Sequence, residues 1–200
     1  PIAFYFAFDS QGIPEKRRLQ RFYPLPADSE QANKVSFKDT LWHTIPDFSF
    51  TTQTGDTFTS EDAKDKVLIV GFFAGHDEAK LASMNEYYKM LQEEFTEDKE
   101  VILLAHTVIP SIDTLARLEQ LVQKYKIDDD KWFLLGGTQE AVNQQIEEAY
   151  RLPLPELSDS SNLESLTYPS KYVLVGRKGI IRGYYDLESL EDLRMFMSDI

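Results

Sequence analysis

Residues Val67–Ala74 read VLIVGFFA, eight residues without a charge or a polar side chain. An apolar run this short that never alternates is the pattern of a strand covered on both faces. Just beyond it, Leu81, Met84, Tyr88, Leu91 and Phe95 recur every three or four residues, which predicts an amphipathic helix. VILLA at Val101–Ala105 repeats the buried-strand pattern. Ile112, Leu115, Leu118, Val122 and Tyr125 then predict a second helix, capped near Ser111 or Asp113. Trp132–Leu135 reads as a short strand closed by Gly136 and Gly137, and Gln139–Tyr150 as a third helix. Upstream, Asp47–Thr51 and Thr57–Thr59 alternate around Gly55-Asp56, a hairpin signal. Downstream, Pro153–Ser165 is acidic and serine-rich and reads as a surface loop. Lys171–Val175 and Ile180–Tyr184 predict a hairpin around Gly176–Gly179, and Leu187, Leu190, Leu193 and Met197 a last helix. Strands alternating with helices and closed by a hairpin predict an α/β domain: a mixed sheet with helices on both faces.

Composition narrows the chemistry. The chain has 200 residues, 42% of them hydrophobic, enough to bury on the order of 70% of the unfolded surface in one core. Its formal net charge is −13, with 34 acidic and 21 basic side chains, which opposes nucleic-acid binding. There is no cysteine, so disulfides, thiol nucleophiles, thiol oxidoreductase activity and cysteine-ligated metals are excluded. Three histidines, His43, His76 and His106, are few for a histidine-rich metal site. No phosphate-cradling glycine loop, zinc-protease motif or nucleophile elbow occurs, and no catalytic residue is assigned.

Residues 1–40 are built differently. They carry six basic and five acidic side chains and hold Gly12, Pro14, Pro24 and Pro26, the character of a linker. PIAFYFAF at Pro1–Phe8 is too short to span a bilayer. It reads as the outer end of a membrane anchor continuing upstream of residue 1, or as a short strand or packing arm. Lys16, Arg17, Arg18 and Arg21 follow as a basic cluster. The expected division is a tail over 1–40 and one domain over 41–200.

The motifs of that domain resemble a known family. HTIPDF at His43–Phe48 precedes the hairpin, Phe72-Phe73 ends the first buried strand, and HTVIPSIDT follows the second at His106–Thr114. WFLLG at Trp132–Gly136, YVLV at Tyr172–Val175, then Gly179 and YYD at Tyr184–Asp186 complete the series. In this order they resemble the SCO/SenC family of thioredoxin-fold, membrane-anchored copper chaperones for cytochrome oxidase. The resemblance implies a thioredoxin-like fold, a central mixed sheet flanked by helices, with an N-terminal hairpin extension. It also implies a copper site made by a Cys-x-x-x-Cys pair after the Phe-Phe strand and by a distant histidine. Two soft thiolates one helical turn apart converge on Cu(I) and an imidazole closes the site. Here those positions fall on His76, Lys80 and Tyr168, and the family's Asp-Pro pair becomes Ile109-Pro110. All three ligand positions are substituted, the pattern of a degenerate member.

Each candidate has a structural counterpart. His76 with Asp77 reads as a residual ligand or proton-transfer pair, or as a helix N-terminus with a solvated histidine and Asp77 and Glu78 facing its positive end. Lys80 reads as an anion contact or as a solvated lysine. Tyr168, before Pro169, reads as a packed aromatic with a wet hydroxyl, beside a loop where a cis-proline is common in this fold. His43 and His106 read as scaffold, and Glu147, Glu148, Glu156 and Glu164 as solvated acidic faces rather than a calcium site. The expected function is a non-redox, cofactor-free partner-binding or assembly factor related to copper delivery and oxidase biogenesis. Its partner would be a protein of the oxidase-assembly type, and its place periplasmic or extracytoplasmic, membrane-anchored. The alternatives are a metal carrier centred on His76 and Asp77, or a non-thiol enzyme using the thioredoxin-fold groove.

Overall fold

The computed structural model describes residues 42–127, 130–159 and 162–200. The tail, its basic cluster and the expected anchor lie outside the described residues, and so does any structural test of the boundary at residue 40. Among the described residues no helix is long and apolar enough to cross a membrane.

The central sheet has five strands: β3 (Val67–Phe73), β4 (Val101–Thr107), β5 (Trp132–Leu135), β8 (Tyr172–Val175) and β9 (Ile181–Tyr185), in the order β5-β4-β3-β8-β9. β3, β4 and β5 run parallel, while β8 lies antiparallel to both β3 and β9. The two apolar runs are thus neighbours in the middle of the sheet, in register from Val67↔Val101 to Phe73↔Thr107. Alternate residues of β3 feed opposite cores: Ile69 and Phe73 one, Leu68, Val70 and Phe72 the other.

Helices α1 (Glu78–Glu94) and α2 (Leu115–Tyr125) are the crossovers from β3 to β4 and from β4 to β5. Both crossovers step the same way along the sheet, so both helices cover the same face. They insert Leu81, Met84, Tyr88, Leu91, Leu118 and Leu121, and α4 (Leu190–Asp199) adds Leu193 and Phe196. Tyr88 is fully buried and donates its hydroxyl to Leu104 O at 2.7 Å, satisfying the polar atom that its ring carries inside. The other face is covered by α3 (Gln139–Gln144) with the turn that follows it, and by the hairpin β1 (Ser49–Thr51)–β2 (Thr57–Thr59), through Phe50, Phe58, Val142, Ile146 and Tyr150. This is the mixed sheet and N-terminal hairpin that the sequence predicts.

The hairpin is fastened to the sheet at two points. Thr51 and Gly136 exchange backbone bonds at 2.9 and 2.8 Å at the end of β5. The buried side chain of Gln53 then imitates a strand along β5, donating to Trp132 O at 2.9 Å and accepting from Leu134 N at 2.8 Å. An edge strand that would otherwise present free peptide groups is thereby closed.

Four local expectations are corrected. Helix α2 starts at Leu115 behind Thr114, which makes no side-chain cap bond; Asp113 is turned inward instead of capping. The third helix is α-helical only over Gln139–Gln144 (α3) and continues as one π-helical turn, Gln145–Ala149, delivering Tyr150 to the core. The 153–165 loop is partly ordered: Glu156–Leu157 (β6) pairs with Leu166–Thr167 (β7), and a 3-10 turn spans Leu163–Ser165. Leu187 belongs to the turn before α4, which begins at Leu190. The hairpin around Gly176–Gly179 forms as predicted, with Gly179 at φ +69°, a left-handed value that favours glycine.

Candidate functional site

The antiparallel pairing of β8 with β3 sets the site. It brings the start of β8, and the 163–170 loop leading into it, to the same end of the sheet as the exit of β3. That exit is Ala74-Gly75, and the chain turns there into α1. His76 and Tyr168, ninety-two positions apart, meet for this topological reason rather than through any local pattern.

Asp77 is the N-cap of α1. Its Oδ1 accepts from Lys80 N at 3.0 Å, so its carboxylate sits at the positive end of the helix. Its Oδ2 accepts the Tyr168 hydroxyl at 2.8 Å. The Tyr168 hydroxyl is therefore engaged, not wet; burial, and then the adjacent Asp77, push it well above the usual phenol range. His76 is half-buried rather than solvated. Its Nε2 donates to Leu163 O at 3.0 Å, and its Nδ1 is buried and without a hydrogen bond among the described residues. Two bonds running in opposite directions thus fasten the β3–α1 turn to the 163–168 loop. All described peptide bonds are trans, Tyr168–Pro169 included. Lys80 does not join this clamp; its side chain lines a separate small pocket with Ser83, Tyr87 and Ser170.

Beneath the turn lies a buried carboxylate, only 2% exposed, that sequence reasoning took for a helix cap. Asp113 accepts the Gly75 N–H with both oxygens, at 3.1 and 2.9 Å, and Oδ2 also accepts a short hydrogen bond from the Thr107 hydroxyl. Arg117 Nη2 donates to Gly75 O at 2.9 Å. Burial pushes the Asp113 carboxyl up, against the opposing pull of Thr107, Gly75, Arg117 and His76. Gly75 is therefore held on both its N–H and its C=O. Asp113 stands in the HTVIPSIDT motif, so the sequence signal was present, but its partner is 38 residues away.

The remaining candidates are scaffold or surface. His43 Nε2 donates to Ala149 O at 2.9 Å, and His106 Nε2 lies 3.1 Å from the Tyr150 hydroxyl. Glu147, Glu148, Glu156 and Glu164 are all exposed. Among the described residues no three His, Asp or Glu side chains come together as a metal-binding group.

One consequence can be measured directly. Tyr168→Phe removes the hydrogen bond to Asp77 and is expected to cost about 1 kcal/mol in urea unfolding. Amide hydrogen exchange over 163–168 should accelerate while that of β3 and β4 stays unchanged. Unaltered exchange in the loop would mean that the clamp does not hold it.

Residues 39–196 match the SCO1/SenC family profile. No curated protein matches the chain significantly. Among solved structures it is similar to the SCO1/SenC family lipoprotein of Bacillus anthracis str. Ames, with 23% identity, coverage of 77% of this chain and 92% of that one, and a TM-score of 0.64. It is likewise similar to BsSco, a member of the Sco family of cytochrome c oxidase assembly proteins, at 22% identity, 81% and 94% coverage and a TM-score of 0.62. Bradyrhizobium japonicum ScoI, solved with copper bound, gives 16% identity, 78% and 98% coverage and a TM-score of 0.60. These likenesses carry the thioredoxin-like fold, and the profile match covers nearly the whole described domain: the chain belongs to the SCO1/SenC family.

Proposed function

We propose that this chain is a cysteine-free SCO/SenC protein that works by binding a protein partner, as a non-redox assembly factor related to copper delivery and cytochrome oxidase biogenesis. The observation that carries this reading is the Tyr168–Asp77 hydrogen bond, made together with the His76–Leu163 bond across the family's ligand positions. Where the family would join the turn and the loop through a shared metal, this chain joins them by protein atoms alone. The donor set also suits copper poorly. A phenol is a weak ligand for Cu(I), and the Lys80 side chain is turned away into a separate pocket. We place it outside the cytoplasm, anchored through a segment upstream of residue 1, on the strength of the family and of the lipoprotein among its relatives.

A second reading has one observation in its favour. The Nδ1 of His76 is buried without a hydrogen bond among the described residues, and imidazole with the Asp77 carboxylate would suit Cu(II) or Zn(II). Calorimetric titration separates the two. The partner-binding reading expects no copper uptake tighter than micromolar. Stoichiometric, tighter uptake that disappears in His76→Ala would establish the carrier instead.

A further inference from the structure

Beside the clamp, between α1 and the adjoining ends of β8 and β9, lies a small pocket of about 70 Å³ that opens to the surface at Ser170 and Glu188. At roughly 10–15 Å³ for each water position, it takes the head of one side chain rather than a cofactor. Tyr172 is only 4% exposed, and its hydroxyl makes no hydrogen bond among the described residues. The hydroxyls of Tyr87, Ser83 and Ser170 also line the pocket without a hydrogen bond among those residues. Asp186 and Glu188 supply two carboxylates; Asp186 Oδ1 accepts from Glu188 N at 3.0 Å, and the Glu188 carboxylate makes no bond among the described residues. Lys80 is the single cation of the lining. The rings of Tyr87 and Tyr172 stand edge to face, centroids 6.4 Å apart, and form an aromatic wall.

Acceptors and aromatic faces outnumber donors here, and carboxylates outnumber the ammonium two to one. Burial first, and among the further causes Glu188 and Asp186, push the Tyr87 and Tyr172 hydroxyls up, as a negative local potential requires. The chain as a whole carries −13, so an approaching cationic surface is attracted before contact. A planar guanidinium matches such a lining better than a round ammonium: it offers five donors in one plane, pairs with carboxylates and stacks on aromatic rings. We propose that this pocket receives the arginine side chain of a partner protein, anchored by Asp186 and Glu188 against the Tyr87–Tyr172 wall. The proposal rests on the partner-binding reading above and names the chemistry that such a partner presents.

The test is a nitrogen-15 NMR titration of the 200-residue chain with the peptide Ac-Gly-Arg-Gly-NH2. Its glutamine and glutamate counterparts serve as neutral and anionic arms. The arginine peptide is expected to give saturable, millimolar shifts at the amides of Ser83, Ser170 and Glu188, and the other two none. Asp186→Asn combined with Glu188→Gln should weaken binding about tenfold, and Lys80→Met should tighten it a few-fold. Glu188→Gln alone, at an exposed position, keeps the test valid if the double variant unfolds, and should weaken binding by up to about fivefold. Absence of saturable shifts, equal binding of the glutamine peptide, preference for the glutamate peptide, or indifference to Glu188→Gln would each overturn the proposal. Copper uptake at His76 is read separately by calorimetry without peptide, and the peptide titration is run on metal-free protein, so the two failures are distinguishable.

Discussion

Gly75→Ala is expected to destabilise the domain by about 3–5 kcal/mol in equilibrium urea unfolding. A Cβ built on Gly75 would stand 2.1 Å from Asp113 Oδ1, well inside van der Waals contact. The obstruction is not a flexible surface side chain that can swing aside. Asp113 is buried and held by Gly75 N–H and the Thr107 hydroxyl, so relief requires those bonds to break. Each buried donor left unmade costs about 1–3 kcal/mol, and overpacking adds a similar amount. The mechanism is checked by a double-mutant cycle. In an Asp113→Ala background the new methyl has room, and the two substitutions should couple by more than 1 kcal/mol. Strict additivity would show that Gly75 is constrained by something other than Asp113.

Acid should unfold this protein through His106. The ring is fully buried among Phe50, Phe72 and Tyr150, and burial lowers its pKa from 6.5 to about 3. As pH falls below 6.5 the unfolded chain takes up a proton at this histidine while the folded chain does not. Stability is therefore complete above pH 6.5 and is lost progressively towards pH 3, at about 1.4 kcal/mol per pH unit. Asp113, whose carboxyl is raised by burial, acts with the opposite sign nearer pH 4, so the comparison belongs between pH 6.5 and 5. In that range His106→Phe should flatten the slope of unfolding free energy against pH by about one proton's worth. An unchanged slope would mean that His106 is protonated in the fold.

What the sequence could disclose followed the reach of its signals. VLIVGFFA and VILLA announce strands covered on both sides because burial on two faces removes every polar residue from the run. The hairpin around Gly176–Gly179 is legible because its turn chemistry is local. Asp113 was misjudged for the opposite reason. One residue ahead of a helix, an aspartate satisfies a capping pattern, and nothing local tells that it reaches back to Gly75 across two strands. The Tyr168–Asp77 bond and the chemistry around Tyr172 depend on β8 lying beside β3, a pairing made by residues about a hundred positions apart. The π-helical turn at 145–149 escaped because a helical repeat looks alike in sequence whichever carbonyl each amide selects.

The sheet order also dictates the sequence of events on the ribosome. β3, the seam of the molecule, is flanked on one side by β4 and on the other by β8, which is synthesised about a hundred residues later. While translation runs from residue 73 to residue 172, one margin of Leu68–Val70 has no neighbour and offers its peptide groups to any passing strand. Nascent chains stopped short of the hairpin β8–β9 therefore carry a half-finished sheet, and its completion awaits the emergence of those two strands.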